Sequence, residues 1–123
     1  MAIIRDIMSG KLVSVTPSTT VAEAATSMAE RRVGSALVFD GPLVGIFTER
    51  DIVRALSQDF DAPRHPVDHW MTRDPQTISP EATVEEALDI MLKAGFRHLP
   101  VTEGDQVIGV VSIRDLSRAT AEG

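Results

Sequence analysis

Thr20-Val21-Ala22-Glu23-Ala24 and Thr83-Val84-Glu85-Glu86-Ala87 are one pattern written twice, 63 positions apart. The match runs outward in both directions. At the same offset Met8 falls on Met71, Pro17 on Pro80, Met28 on Met91 and Val38 on Val101. The second copy then gains one residue, and at an offset of 64 Gly45 meets Gly109, Thr48 meets Ser112, Arg50 meets Arg114 and Asp51 meets Asp115. Shared order, type and spacing over this length define a tandem duplication, and the duplication decides the fold.

Each copy reads alike. Thr20 and Thr83 stand three residues before Glu23 and Glu86. That is the capping-box spacing, in which a hydroxyl and a carboxylate satisfy the free amides of a helix start. Apolar residues follow at helical spacing, Val21, Ala24, Ala25 and Met28 in one copy and Val84, Ala87, Leu88 and Met91 in the other. Gly34 and Gly95 are expected to end these helices. Short strands precede them at Val13-Ser14-Val15 and Thr77-Ile78. Two more follow in each copy, Ala36–Phe39 with Leu43–Phe47 and Leu99–Thr102 with Val107–Val111, joined by turns at Asp40-Gly41-Pro42 and Glu103-Gly104-Asp105. Helices Glu49–Leu56 and Ile113–Ala119 close the copies. The predicted fold is mixed α/β (α+β), a tandem β-α-β-β-α repeat. Residues 1–58 form the first repeat, 59–69 a polar, proline-punctuated linker and 70–123 the second repeat. Helices cover only one face of so small a sheet, so the repeats are expected to pack sheet to sheet as one pseudo-two-fold globule.

Composition narrows the function. A chain of 123 residues buries enough surface to fold without a metal or disulfide staple. It has no cysteine, which excludes a disulfide framework, a thiolate zinc site and a cysteine nucleophile. Twelve Lys and Arg against eighteen Asp and Glu give a net charge of −6, all of it carried by residues 59–123. That balance argues against binding nucleic acid or an anionic membrane, both of which reward basic surface. Met1-Ala2-Ile3-Ile4-Arg5-Asp6 is charged too early for a signal peptide, and no apolar run reaches the length of a membrane span. A soluble cytoplasmic domain is expected.

The repeats also resemble a known family. Asp6-Ile7-Met8-Ser9 and His69-Trp70-Met71-Thr72 open the copies, each followed by the Val-x-Glu-Ala helix. Gly95-Phe96-Arg97-His98-Leu99-Pro100-Val101 matches the strand after that helix. Gly45-Ile46-Phe47-Thr48-Glu49-Arg50-Asp51 and Gly109-Val110-Val111-Ser112-Ile113-Arg114-Asp115 match the ending. The unit resembles the cystathionine-β-synthase (CBS) domain, and the pair resembles a CBS-pair, or Bateman, module over nearly the whole chain. The resemblance implies a regulatory sensor and not an enzyme. It implies an adenosine-containing ligand (AMP, ADP, ATP or S-adenosylmethionine) bound in clefts between the repeats, with no further cofactor. It also implies a homodimer built from helices of both repeats. A chain this short leaves no room for a fused catalytic domain, so the regulated partner is expected to be another protein.

Thr48-x-x-Asp51 and Ser112-x-x-Asp115 carry the candidate sites. Each is also an N-capping pattern, worth about 1 kcal/mol to a helix start whatever the function. The same geometry suits a ligand, because a helix N-terminus offers free amides to a phosphate and a first-turn aspartate accepts from ribose hydroxyls. The resemblance favours binding without excluding capping. Beside Asp115, the phosphate candidates are Ser112, Arg114, Arg97 and His98, a guanidinium fork and an imidazole among them. Solvated arginine and half-buried histidine are the alternative. In the first copy Gly34 and Ser35 stand where Arg97 and His98 stand in the second, which leaves Thr48, Arg50 and Asp51 with fewer phosphate partners. The resemblance assigns Val13 and Val33 on the Asp115 side, and Gln76 and Phe96 on the Asp51 side, to walls for a base. Core packing is the alternative for all four. The Asp115 cleft is therefore expected to bind phosphorylated ligands more tightly.

Other chemistries find little support. His65 and His69 lie four apart beside Asp68, but Pro66 interrupts the segment and no third ligand follows, so no metal is expected. The sequence has neither a Gly-rich phosphate loop nor a nucleophile elbow. The rival to a ligand sensor is a structural or protein-interaction dimer module with vestigial nucleotide clefts.

Overall fold

The computed structural model describes residues 2–122. In chain order the elements are α1 (Ile4–Ile7), β1 (Ser14–Val15), α2 (Val21–Arg31), β2 (Ser35–Phe39), β3 (Leu43–Thr48), α3 (Glu49–Gln58), β4 (Thr72–Arg73), α4 (Val84–Ala94), β5 (His98–Glu103), β6 (Gln106–Ser112) and α5 (Ile113–Glu122). They form two compact units. The first is Leu12–Pro75; the second joins the residues up to Lys11 with those from Gln76 onward.

In the first unit the strand order is β1-β2-β3-β4. β1 runs parallel to β2, with Val15 opposite Val38. β2 and β3 form an antiparallel hairpin from Ser35↔Thr48 to Phe39↔Leu43, with a bulge between Val38 and Phe39. β4 adds to the far edge through Gly45↔Arg73 and Ile46↔Thr72. Val21, Ala24 and Met28 of α2, spaced three and four apart, meet Ala36, Val38 and Phe47 of the sheet and Ala55 of α3 in one core. The capping box at the start of α2 is complete. Thr20 N and Oγ1 donate to Glu23 Oε1 at 2.9 and 3.0 Å, and Glu23 N donates back to Thr20 Oγ1 at 3.1 Å. The backbone bond first, and then the hydroxyl, hold the Glu23 carboxyl below its ordinary pKa.

The second unit repeats this plan. β5 and β6 pair from His98↔Ser112 to Glu103↔Gln106, and the bulge falls between Val101 and Thr102, the positions that answer Val38 and Phe39. The flanking partners are single bridges here, Ile78 parallel to Val101 and Ser9 antiparallel to Val110. These answer Val15↔Val38 and Thr72↔Ile46 in the first unit. The segment that opens each repeat therefore completes the sheet of the other repeat. Ile4 is fully buried in the second core beside Leu99, Val111 and Leu116. The amides of Ile4 and Arg5 donate to Ala82 O and Pro80 O at 2.9 and 2.8 Å. Arg5 also forms ion pairs with Glu81 and Glu103, but these are exposed and contribute little beside the burial of Ile4.

Several local expectations change. α2 ends on Arg32, which takes the left-handed conformation at φ 57°, two residues before Gly34; α4 ends on Gly95 at φ 77°, as expected. Thr83 Oγ1 accepts from Glu86 N at 3.1 Å, but no bond returns from the Glu86 side chain, so this capping box is half formed. The linker 59–69 is anchored in the first unit. It makes two 3-10 turns, Ala62–Arg64 and Val67–His69, and Ala62 and Val67 are fully buried in the first core. Its prolines and charges hid those two anchors.

Two repeated glycines mark where the exchanged segments cross. A Cβ on Gly109 would lie 2.7 Å from Met8 Sδ and 2.9 Å from the Ser9 carbonyl oxygen, whereas one on Gly45 would overlap only the Met71 thioether. Ser9 is held by reciprocal backbone bonds to Val110 of 2.9 and 3.0 Å, so it cannot retreat as a methionine side chain can. Gly109→Ala should therefore cost about 1–3 kcal/mol and Gly45→Ala less. Urea unfolding of both variants checks the ranking; an equal or inverted order contradicts it.

Candidate functional site

The two candidate aspartates sit at the starts of α3 and α5, each just past the end of a hairpin strand. In the first unit Thr48 N and Oγ1 donate to Asp51 Oδ2 at 2.9 and 3.1 Å, and Asp51 N donates to Thr48 Oγ1 at 3.3 Å. This is the capping role the spacing allows, and it occupies one carboxylate oxygen. Asp51 is 7% exposed and Ser35, paired opposite Thr48, is 6% exposed. Glu49 N donates to Gly34 O at 3.1 Å, so Gly34 and Ser35 border the helix start. Arg50, in the first turn, is exposed.

In the second unit Ser112 N and Oγ donate to Asp115 Oδ2 at 2.8 and 3.0 Å, and Asp115 N donates to Ser112 Oγ at 3.1 Å. Ile113 N donates to Arg97 O at 2.8 Å, and His98 lies opposite Ser112 in the hairpin. Arg97 and Arg114 are exposed, while Asp115 and His98 are half-buried. Five of the predicted residues, Arg97, His98, Ser112, Arg114 and Asp115, thus come together at one helix N-terminus. The dipole of that terminus favours an anion, and two guanidinium groups add donors suited to phosphate.

The wall candidates divide differently. Val13 is 6% exposed and belongs to the first core, with Val33 packed against it. Phe96 packs against the second core. Gln76 is exposed, and its side-chain amide donates to Thr77 O at 3.4 Å. All four stand in the unit opposite the aspartate with which they were grouped.

Arg54 and Trp70 escaped the sequence reading. Arg54 Nη2 donates to Asp51 Oδ1 at 3.2 Å and to Trp70 O at 2.7 Å, and the guanidinium carbon lies 5.4 Å from the centre of the indole ring. The signal was an arginine three residues beyond each aspartate, Arg54 and Arg118. Only one is used this way: Arg118 is exposed and makes no bond to Asp115, whose Oδ1 has no hydrogen-bond partner among the described residues. His65 and His69 have a packing role. Their rings stand 5.3 Å apart, and His65 stacks on Trp70 at 6.1 Å with planes 6° apart.

Comparison with known proteins identifies the family. The CBS domain family matches residues 4–58 and again 67–122. An uncharacterized 17.7 kDa protein of Acidianus ambivalens is 46% identical over 120 residues, 94% of this chain and 71% of that protein. The CBS domain-containing protein CBSCBSPB1 of Arabidopsis thaliana is 40% identical over 84% of this chain, which spans only 20% of that protein's length. Among solved structures, the CBS-domain containing protein ATU1752 of Agrobacterium tumefaciens superposes with a TM-score of 0.90 at 30% identity, covering 97% of this chain and 99% of that one. The CBS domain pair of MJ0100, solved with 5′-methylthioadenosine and S-adenosyl-L-methionine, gives 0.88 at 27% identity over 98% and 97% of the two chains. CBSX2, solved with AMP, gives 0.79 at 26% identity over 98% and 96%. This chain belongs to the CBS domain family and is a CBS pair.

Proposed function

We propose that this CBS pair is a regulatory ligand-sensing module that binds an adenosyl compound, with Asp115 as its principal anchor. The observation that carries the reading is the start of α5, where Asp115 Oδ1 has no hydrogen-bond partner among the described residues. That oxygen is an acceptor for a ribose hydroxyl. Arg97, His98 and Arg114 stand by for a phosphate. The adenosyl ligands of MJ0100 and CBSX2 support the ligand class. Bound ligand would act by population shift, favouring the arrangement it binds better and so altering a partner protein. Among AMP, ADP, ATP and S-adenosylmethionine, the two arginines favour a phosphorylated compound.

The module is proposed to work as a homodimer. Val53, Leu56 and Phe60 recur at helical spacing along and just past α3 and are 68%, 43% and 99% exposed; Leu92 on α4 is 73% exposed. Apolar side chains so placed gain by meeting a second copy of the same surface.

Calorimetry with AMP tests the ligand reading. Losing a hydrogen bond to a charged group costs about 1.5–3 kcal/mol, so Asp115→Ala should weaken AMP roughly ten- to a hundredfold while the protein stays folded. Arg97→Ala should weaken AMP more than adenosine. A specific ligand at 100 times its Kd also adds about 2.7 kcal/mol of stability. Unchanged melting with AMP, ADP, ATP and S-adenosylmethionine would favour the interaction module with vestigial clefts. For the assembly, light scattering should give the mass of a dimer that Phe60→Asp shifts toward monomer; a wild-type monomer at tens of micromolar contradicts it.

A further inference from the structure

Both units carry the pattern aspartate then arginine three residues on, yet only one arginine closes on its aspartate. We infer that Arg54 is a latch on Asp51, a specificity-determining residue that holds the first-unit carboxylate away from ligand and leaves Asp115 as the preferred site. The inference rests on the reading that these aspartates hold ligand hydroxyls.

The latch has three supports. Arg54 Nη2 bridges Asp51 Oδ1 at 3.2 Å and Trp70 O at 2.7 Å, and its guanidinium lies over the Trp70 ring at 5.4 Å. The platform is fixed. Trp70 is 7% exposed, its amide donates to Val67 O at 3.0 Å, and the His65 ring stacks on it. With Oδ2 taken by Thr48 and Oδ1 by Arg54, both oxygens of Asp51 are engaged. A ribose hydroxyl must displace or share the guanidinium, and that competition weakens binding. A planar guanidinium satisfies two acceptors and a ring face together, which a lysine ammonium does not.

The second unit shows what removes the latch. At the repeat offset of 63, the residue that answers Trp70 is Ile7, which offers no aromatic face. Arg118 has no such platform to hold it over the carboxylate, and Asp115 Oδ1 has no partner among the described residues.

Calorimetric titration of the full chain with AMP tests the latch. Two variants remove its two sides: Arg54→Ala deletes the donor, and Trp70→Ile installs the residue the other unit carries. Each should tighten the weaker AMP step about tenfold, or reveal a second step where wild type shows one, and leave the tighter step within about twofold. A residue that merely supports the fold would lose affinity on substitution, not gain it. Asp51→Ala and Asp115→Ala assign the steps. If Asp51→Ala removes the weaker step but neither Arg54→Ala nor Trp70→Ile tightens it, the latch is overturned and the ligand reading stands. If neither aspartate substitution changes the titration, the ligand reading fails and the latch with it.

Discussion

The crossing of each opening segment over the other repeat's hairpin is the constraint on which the structure depends. Met8 lies against Gly109, and Met71 against Gly45, at positions where a Cβ has no room. Through these contacts Ser9 bonds to Val110 and Thr72 pairs with Ile46. Neither repeat completes its sheet with its own beginning. The β-α-β-β-α pattern is a repeat of sequence, while the compact units are offset from it by the length of the opening segment. Each hairpin is thereby held in place, and with it the helix start that carries the aspartate.

Duplication gives the chain two equivalent helix starts; divergence makes them unequal. The caps are the same, threonine in one and serine in the other, each with its aspartate closing back on the strand end. What surrounds them differs. Gly34 and Ser35 bring no charge to Asp51, whereas Arg97 and His98 border Asp115. The opening segments diverge as well, because Trp70 offers Arg54 a face and Ile7 offers Arg118 none. Asp51 is engaged through both oxygens, whereas Asp115 is engaged through Oδ2 alone among the described residues.

Much of this was legible in the sequence. The strands and helices followed from alternation, helical spacing and the paired caps, and the grouping of Arg97, His98, Ser112, Arg114 and Asp115 is what the family resemblance implies. What stayed hidden depended on long-range partners. The four-residue α1 has too little periodicity to read, and its buried Ile4 gains its place from distant partners such as Ala82 and Leu116. Thr72 and Arg73 become a strand only because β3 presents an edge. The linker 59–69 reads as polar and proline-punctuated, and its two apolar anchors, Ala62 and Val67, are scattered among prolines and charges. Arg54 reads as a solvated helix residue until Trp70 is brought beneath it from sixteen positions away.

The central claim is that ligand is held first at the start of α5. Amide chemical shifts of the isotope-labelled chain, followed as AMP is added, test it directly. The account predicts that the signals of Arg97 and of Ser112 through Asp115 move in the first part of the titration, and those of Thr48 through Asp51 only later. Early movement confined to Thr48 through Asp51, or no movement at either helix start, would contradict it.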